Sequence, residues 1–253
     1  HYFIKQSLAQ SRAIKDDRMK SMNYLAYAAY YSRLPNLDSS TYYLIEATEY
    51  FIEMNDSLSM AYCYFGVMSN YNETGNLKGT IEYGEMTLKI ARSIEIKQLI
   101  GPTIIALAHS YFKTDDNKLK AERYVLEAEE IAKKDKNKHL LLEVYLTKGI
   151  HNYKNDDYET CIFNYQKALE LSLEVMDTFN ISNCNFKLGL ANFKIGNHES
   201  AAAYFEESID LGRCSREELK KSYIYLAMIY ASGDSHKQND YLTKYDSISS
   251  IKD

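Results

Sequence analysis

Cys161 and His151 come nearest to a thiol nucleophile with its base, yet a turn separates them and no third polar group stands ready to orient the imidazole. The other histidines, His1, His109, His139, His198 and His236, show no metal spacing. Two imidazoles at i and i+4 on one helix would be the least such a site requires. HExxH, GxSxG, GxxxxGK[ST] and GxGxxG are all absent. Acidic pairs such as Glu129-Glu130 and Glu206-Glu207 fall on polar helix faces, where they are solvated. The expectation is a non-enzyme with no catalytic residue, no cofactor and no metal.

Composition narrows the classes further. The 253 residues carry a formal net charge of -5 with no basic block, which argues against a phosphate backbone as partner and for a protein or peptide. No run approaches the roughly 18 apolar residues of a membrane span. Any membrane link is therefore expected through segments outside this chain, and the compartment, cytoplasmic or periplasmic, stays open. Cys63, Cys161, Cys184 and Cys214 lie far apart without a CxxC pair, and Cys161 falls where other repeats carry Ala or Thr, a small buried position. With 2 Pro and 10 Gly, long helices joined by short turns are favoured. The 24 Tyr, against no Trp, suit helix seams, burying the ring and keeping the hydroxyl at a wet edge.

An internal repeat organises the chain. Candidate turns at Pro35-Asn36, Gly75-Asn76, Asp115-Asp116, Asp156-Asp157, Gly196-Asn197 and Gly233-Asp234 are spaced by 40, 40, 41, 40 and 37 residues. Before each of the first five comes a small or modest residue: Ala28, Met68, Ala108, Gly149, Gly189. Three residues later, Tyr31, Tyr71 and Tyr111 give way to Asn152 and Asn192. After the turns run Tyr43, Tyr83, Tyr124, Asn164, Tyr204 and Tyr241, and then a column of Ala47, Thr87, Ala128, Ala168 and Ser208. Between columns the apolar spacing is three or four, the helical period. Two antiparallel helices pack closely where small residues sit at their crossing, and each hairpin needs the next to cover its second face. The expected helix pairs are 17–33 with 38–55, 57–73 with 77–94, 97–114 with 118–135, 138–154 with 157–176, 178–195 with 198–213, and 216–231 with 235–250.

The stretch KLGLANFKIGNHESAAAYFEESIDL resembles the tetratricopeptide repeat signature through Leu188-Gly189, Gly196-Asn197, Ala201, Phe205 and Ser208. KGIHNYKNDDYETCIFNYQKALEL matches through Gly149, Tyr158, Tyr165 and Ala168. Met68, Thr80, Gly84, the missing tryptophan and the insertion near Asn117 depart from the pattern. The resemblance implies an all-α, right-handed α-solenoid of about six hairpins with a 40-residue step. It forms a single domain over 1–253, with a half repeat at 1–16 and repeats at about 17–56, 57–96, 97–136, 137–177, 178–215 and 216–253. Its long-repeat form is similar to the sensor arms of bacterial regulators of Bacteroidetes type. That implies a non-catalytic protein- or peptide-binding arm of a larger signalling or transcription regulator. The half repeat at 1–15 also leads to the expectation of a fragment. The alternative is a free-standing adaptor that self-associates through its terminal repeats, as a homodimer.

In this family the first helix of each pair lines the binding groove. Carried over position by position, that implies a groove of Phe65, His109, Phe112, Lys113, Leu146, Tyr153, Lys154, Phe186, Leu190, Phe193, Lys194, Tyr223 and Tyr230. Apolar and aromatic side chains there suit an amphipathic helix or an extended peptide with large anchors. Lys113, Lys154 and Lys194 also fit the plainer role of cations closing helix C-termini, and the aromatics that of packing on neighbouring helices. Phe186 and Phe193 changed together to Glu are expected to abolish capture without unfolding the chain.

Overall fold

The computed structural model describes residues 6–7, 9–10, 16–34, 36–114, 117–231 and 233–250. The turns at Pro35 and Asp115-Asp116, and most of the half repeat at 1–16, lie outside them; Gln6, Ser7, Ala9 and Gln10 are helical. Between Asp17 and Ser249 the described residues form twelve helices and no strand. They are α1 (Asp17–Ser32), α2 (Leu37–Glu53), α3 (Ser57–Glu73), α4 (Leu77–Ser93), α5 (Lys97–Thr114) and α6 (Lys118–Lys134). There follow α7 (Lys138–Lys154), α8 (Tyr158–Glu174), α9 (Thr178–Lys194), α10 (His198–Asp210), α11 (Arg216–Tyr230) and α12 (Ser235–Ser249). These are the expected elements, with ends trimmed by a residue or three.

The turns use two kinds of residue in sequence. Gly75, Asp156 and Gly196 take left-handed backbone (φ 74°, 59° and 79°) after a first helix. The residue that follows, Asn76, Asp157 or Asn197, caps the next helix by accepting from the backbone N–H three residues on. The Asn of each Gly-Asn pair is thus a helix start, not a helix stop. The turns that close the first four hairpins repeat the scheme without glycine, and Gly212 (φ 61°) closes the fifth. Asn55, Glu95, Lys136 and Met176 hold φ of 53–57°, and Asp56, Asn137 and Asp177 cap the helices beyond.

The chain divides into two compact units, 1–131 and 132–253. In the first, α1 packs on α2, α2 on α3, α3 on α4 and α4 on α5. Tyr24, Tyr27, Ala47, Phe51 and Cys63 form one buried cluster; Ala61, Ala91, Ile96 and Leu99 form a second. In the second unit α7 packs on α8, α8 on α9, α9 on α10, α10 on α11 and α11 on α12. Its core holds Leu142, Leu146, Cys161, Tyr165, Ala168, Cys184, Leu188 and Ala191, then Phe186, Ala201, Ala202, Phe205 and Leu226.

The small column behaves as the crossing requires: Ala47, Thr87, Ala128, Ala168 and Ser208 are all fully buried. The glycines of the column before it make room for rings. A Cβ on Gly149 would stand 2.9 Å from the Tyr165 ring, and one on Gly189 would stand 2.7 Å from the Phe205 ring. The tyrosine columns meet inside each hairpin. Tyr31 stacks on Tyr43 at 5.5 Å, Tyr71 meets Tyr83 at 5.7 Å and Tyr111 meets Tyr124 at 6.4 Å. In the fourth hairpin both positions change together, and Asn164 Nδ2 donates to Asn152 Oδ1 at 3.0 Å.

Candidate peptide-binding face

α9 is the helix that the second unit wraps most completely. From Ile181 to Asn192 it buries every residue except Asn183, Lys187 and Leu190, because α8, α10 and α11 all pack against it. With Phe179 before them and Lys194 after, these three lie four, four, three and four apart: Phe179, Asn183, Lys187, Leu190 and Lys194. That spacing is one stripe of a helix with about 3.6 residues per turn. Phe179 is 62% exposed, Lys194 is exposed, and the three between are half-buried. Lys187 lays its ammonium 5.2 Å from the centre of the Phe186 ring.

The groove residues expected from the sequence separate into three groups. Phe112, Leu146 and Phe186 are buried. Leu146 belongs to the core with Tyr165 and Cys161, while Phe186 is 2% exposed and tilts against Phe205 at 6.0 Å. Phe65, His109, Tyr153, Leu190, Phe193, Tyr223 and Tyr230 are half-buried. Phe65 packs on the Ala61–Leu99 cluster, and Phe193 meets the edge of Tyr225 at 4.8 Å. Tyr230 and Tyr223 stack on Tyr241 at 5.9 and 6.1 Å. Lys113, Lys154 and Lys194 are exposed. Glutamate at Phe186 would place a charge inside the core, so that substitution unfolds the hairpin rather than leaving it intact.

Burial, then Lys113 one turn on, hold the His109 imidazole down to about 4, so it is neutral at pH 7 and offers no cation. The thiols are held in the opposite sense. Burial pushes Cys63 up to about 11 and Cys161 and Cys184 up to about 12, so none of the three is a thiolate near neutrality. His151 Nε2 lies 2.9 Å from the Asn155 amide on its own helix. Among the described residues no three His, Cys, Asp or Glu side chains gather in a way that would hold a metal ion. None of the helices there is long and apolar enough to cross a membrane.

Residues 140–213 match the family model of the tetratricopeptide repeat. The same helical hairpin recurs on both sides of that stretch, so the chain has the helical-hairpin fold of the tetratricopeptide repeat. No curated protein matches its sequence. Solved structures are similar to this tetratricopeptide-repeat fold along most of its length. Apo RapI is 18% identical with a TM-score of 0.74, covering 96% of this chain and 69% of that one. A signal-transduction ATPase with numerous domains and a tetratricopeptide repeat sensor, from Pyrococcus horikoshii, is 21% identical with a TM-score of 0.73. The similarity covers 91% of this chain and 36% of the ATPase, so this chain spans about a third of that molecule's length. A Rap protein complexed with competence and sporulation factor is 14% identical with a TM-score of 0.57, covering 98% and 74%. Identities this low establish a shared fold of helical hairpins.

Sequence reasoning passed over Phe179, Asn183 and Lys187. Each lies on the α9 stripe, and stepping back from Leu190 by three and then four residues reaches them. The family columns had drawn attention to Phe186 instead, one residue round the helix and inside.

Proposed function

We propose that this chain is a non-catalytic binding module, and that the first-helix face of residues 132–253 takes up a segment of a partner protein or peptide. One observation carries the reading: from Ile181 to Asn192 α9 is buried except at Asn183, Lys187 and Leu190, which continue a stripe from exposed Phe179 to exposed Lys194. Phe179, 62% exposed, and half-buried Leu190 give that stripe apolar area beside its cations. Half-buried Phe193, Tyr223 and Tyr230 and exposed Lys154 extend the set that a bound segment would meet, whereas Leu146 and Phe186 shape the wall from behind. In the first unit, Phe65, His109 and Lys113 offer a comparable face of their own.

Similarity to a Rap protein bound to competence and sporulation factor, and to an ATPase that carries its repeats as a sensor, supports a sensory or scaffolding arm of a larger bacterial signalling or transcription regulator. Peptides selected from a random display library on the purified chain test the binding function. Their affinity for Leu190→Asp should fall about tenfold or more, with an unchanged helical circular dichroism spectrum. Full affinity in that variant would exclude this face. An intact mass of the native protein well above 29.3 kDa is the outcome expected for the regulator arm, and one near 29.3 kDa would make it a free-standing adaptor.

A further inference from the structure

Six tyrosine rings of the first hairpin are in contact through one hub. Tyr43 of α2 stacks on three rings of α1: Tyr27 at 4.8 Å, Tyr31 at 5.5 Å and Tyr24 at 6.0 Å between ring centres. Tyr24 stacks in turn on Tyr50 at 5.8 Å. On the outer side Tyr42 meets Tyr43 edge-on at 5.1 Å. Tyr24 and Tyr27 are buried, Tyr31, Tyr43 and Tyr50 are half-buried, and Tyr42 is 55% exposed. The stack therefore opens to solvent through Tyr42.

Packing does not require phenols at all of these positions. Forty residues after Tyr27 and Tyr50 the same columns hold Val67 and Ile90, and Val67 is buried as Tyr27 is. The column of Tyr42 continues with Glu82 and Arg123, both exposed, so no ring is needed there to close the fold. Glu46 follows Tyr42 by four residues, one turn along the same face of α2. Its charge first, and then burial, hold the Tyr42 hydroxyl above the ordinary phenol range. A phenol that has lost an electron is a far stronger acid than the phenol itself, and a carboxylate within reach takes its proton.

We infer that Tyr42 is an oxidative modification site, supplied by the rings stacked behind it. A one-electron oxidant in solution takes an electron from any ring of the stack, and neighbouring rings pass the vacancy on by electron transfer across their contacts. At Tyr42 the oxidised phenol gives its proton to Glu46 and remains as a neutral radical. Losing the proton holds the radical there. Two such radicals, on two copies of the chain, join through ring carbons ortho to the oxygen. The hydrogens on those carbons move to the oxygens, which restores both phenols in a dityrosine link. In all, two electrons pass to the oxidant and two protons to solvent by way of Glu46.

Tyr62 supplies the comparison within the same chain. It is 48% exposed, much as Tyr42 is, but among the described residues it lies against no other ring. The full chain is illuminated with ruthenium trisbipyridine and persulfate, a one-electron oxidant, and the crosslinked dimer is digested and read by mass spectrometry. Tyr42 is expected in dityrosine several-fold more often than Tyr62. Tyr43→Phe keeps a ring in the stack, but that ring is too hard to oxidise to carry the vacancy. It should bring Tyr42 down to the level of Tyr62 with an unchanged helical circular dichroism spectrum. Glu46→Gln should also lower the Tyr42 yield, since the proton then has no carboxylate to reach. Links at Tyr42 and Tyr62 in proportion to exposure, in the unsubstituted chain, would overturn the inference without recourse to any variant. A preference for Tyr42 that survives Tyr43→Phe would overturn it too, because the oxidant would then be striking Tyr42 directly.

Discussion

Tyr124 donates its phenolic hydrogen bond to Glu85 at 3.1 Å, joining the second helix of the third hairpin to the second helix of the hairpin before it. Tyr111 donates to the same carboxylate oxygen at 2.9 Å, and Lys120 approaches it at 2.6 Å. The arrangement recurs in the other unit. Glu206 accepts from Tyr241 at 2.7 Å and from Tyr230 at 3.3 Å, with Lys237 lying 4.5 Å from the Tyr230 ring centre. In each case one carboxylate gathers two tyrosines from the following hairpin, with a lysine set against a tyrosine ring beside it. Solenoid stability is a sum of such neighbour interfaces. Glu85→Ala is expected to lower the unfolding free energy by about 1–2 kcal/mol, discounted for its partial exposure. With Tyr124→Phe it should form a non-additive cycle in urea titration. Strict additivity of the two substitutions would show that the bond contributes nothing.

The same tyrosines set a limit at alkaline pH. Burial, and then the Glu85 charge, push Tyr124 up to about 12, and burial also raises Tyr111, Tyr165 and Tyr241. An unfolded tyrosine titrates near pH 10. Because the folded value lies above the unfolded one, each group's contribution is whole below about pH 10 and is lost as pH climbs toward about 12. Melting temperature should therefore be flat across neutral pH and fall through that window. Tyr124→Phe should flatten the fall, and a melting temperature indifferent to pH between 10 and 12 would contradict it.

Two glycines in helix interiors should respond oppositely to alanine. At Gly189 the new Cβ would stand 2.7 Å from the ring of Phe205, which is fully buried and cannot withdraw. At Gly66 the nearest atom, 2.9 Å away, is a terminal methyl of Leu44, a half-buried side chain free to change rotamer. Gly189→Ala should cost about 1–3 kcal/mol from overpacking. Gly66→Ala should be neutral or gain up to about 1 kcal/mol of helix propensity. Equal effects at the two sites, read by chemical denaturation, would mean that the Gly189 crossing is looser than its geometry implies.

Most of the fold could be read from spacing, because each repeated column answers to one steric demand. Ala168 and Ser208 sit at crossings that admit nothing larger, and Tyr31 with Tyr43, or Asn152 with Asn164, occupy two ends of one contact. The binding face was harder to see. Phe186 and Leu190 are both apolar and one turn apart, but Phe205 and Leu226 close over the first and nothing closes over the second to the same extent. Which side of α9 is covered depends on the angle at which the next hairpin packs, and side-chain type does not encode that angle. Tyr230 shows the same limit. Periodicity aligns it with Phe112 and Phe193, yet it performs the part of Tyr111 beside its glutamate.

The matched asparagines of the fourth hairpin should be exchangeable only as a pair. Asn164→Tyr alone removes the amide that donates to Asn152 and sets a ring against a polar partner. Asn152→Tyr alone leaves the Asn164 amide, which also donates to the Thr160 carbonyl at 2.9 Å, facing a ring. The double variant restores the stacked pair that other hairpins use, and its loss of stability should fall short of the summed single losses by about 0.5–1.5 kcal/mol. A double variant as unstable as the sum would mean that the fourth hairpin cannot seat two rings.

Among the described residues five turns hold a residue with a side chain in left-handed backbone, Asn55, Glu95, Lys136, Asp156 and Met176, where Gly75, Gly196 and Gly212 serve in others. Lys136 at φ 53° and Met176 at φ 56° are the clearest, since neither is the asparagine or aspartate that tolerates this region best. Met176 is also 84% exposed, so its side chain gives back little packing. Met176→Gly should relieve roughly 1 kcal/mol of local strain, offset in part by the greater freedom that glycine has in the unfolded chain. The full 1 kcal/mol would raise the melting temperature by about 2–4 °C in a chain of this size, so the expected net is a rise of about 1–2 °C. Met176→Val should lower it, because a β-branched side chain suits that conformation worst. Should glycine fail to stabilise while valine still destabilises, the strain at Met176 would be smaller than the entropy it saves, and the methionine would be held in place by the turn without cost to the fold.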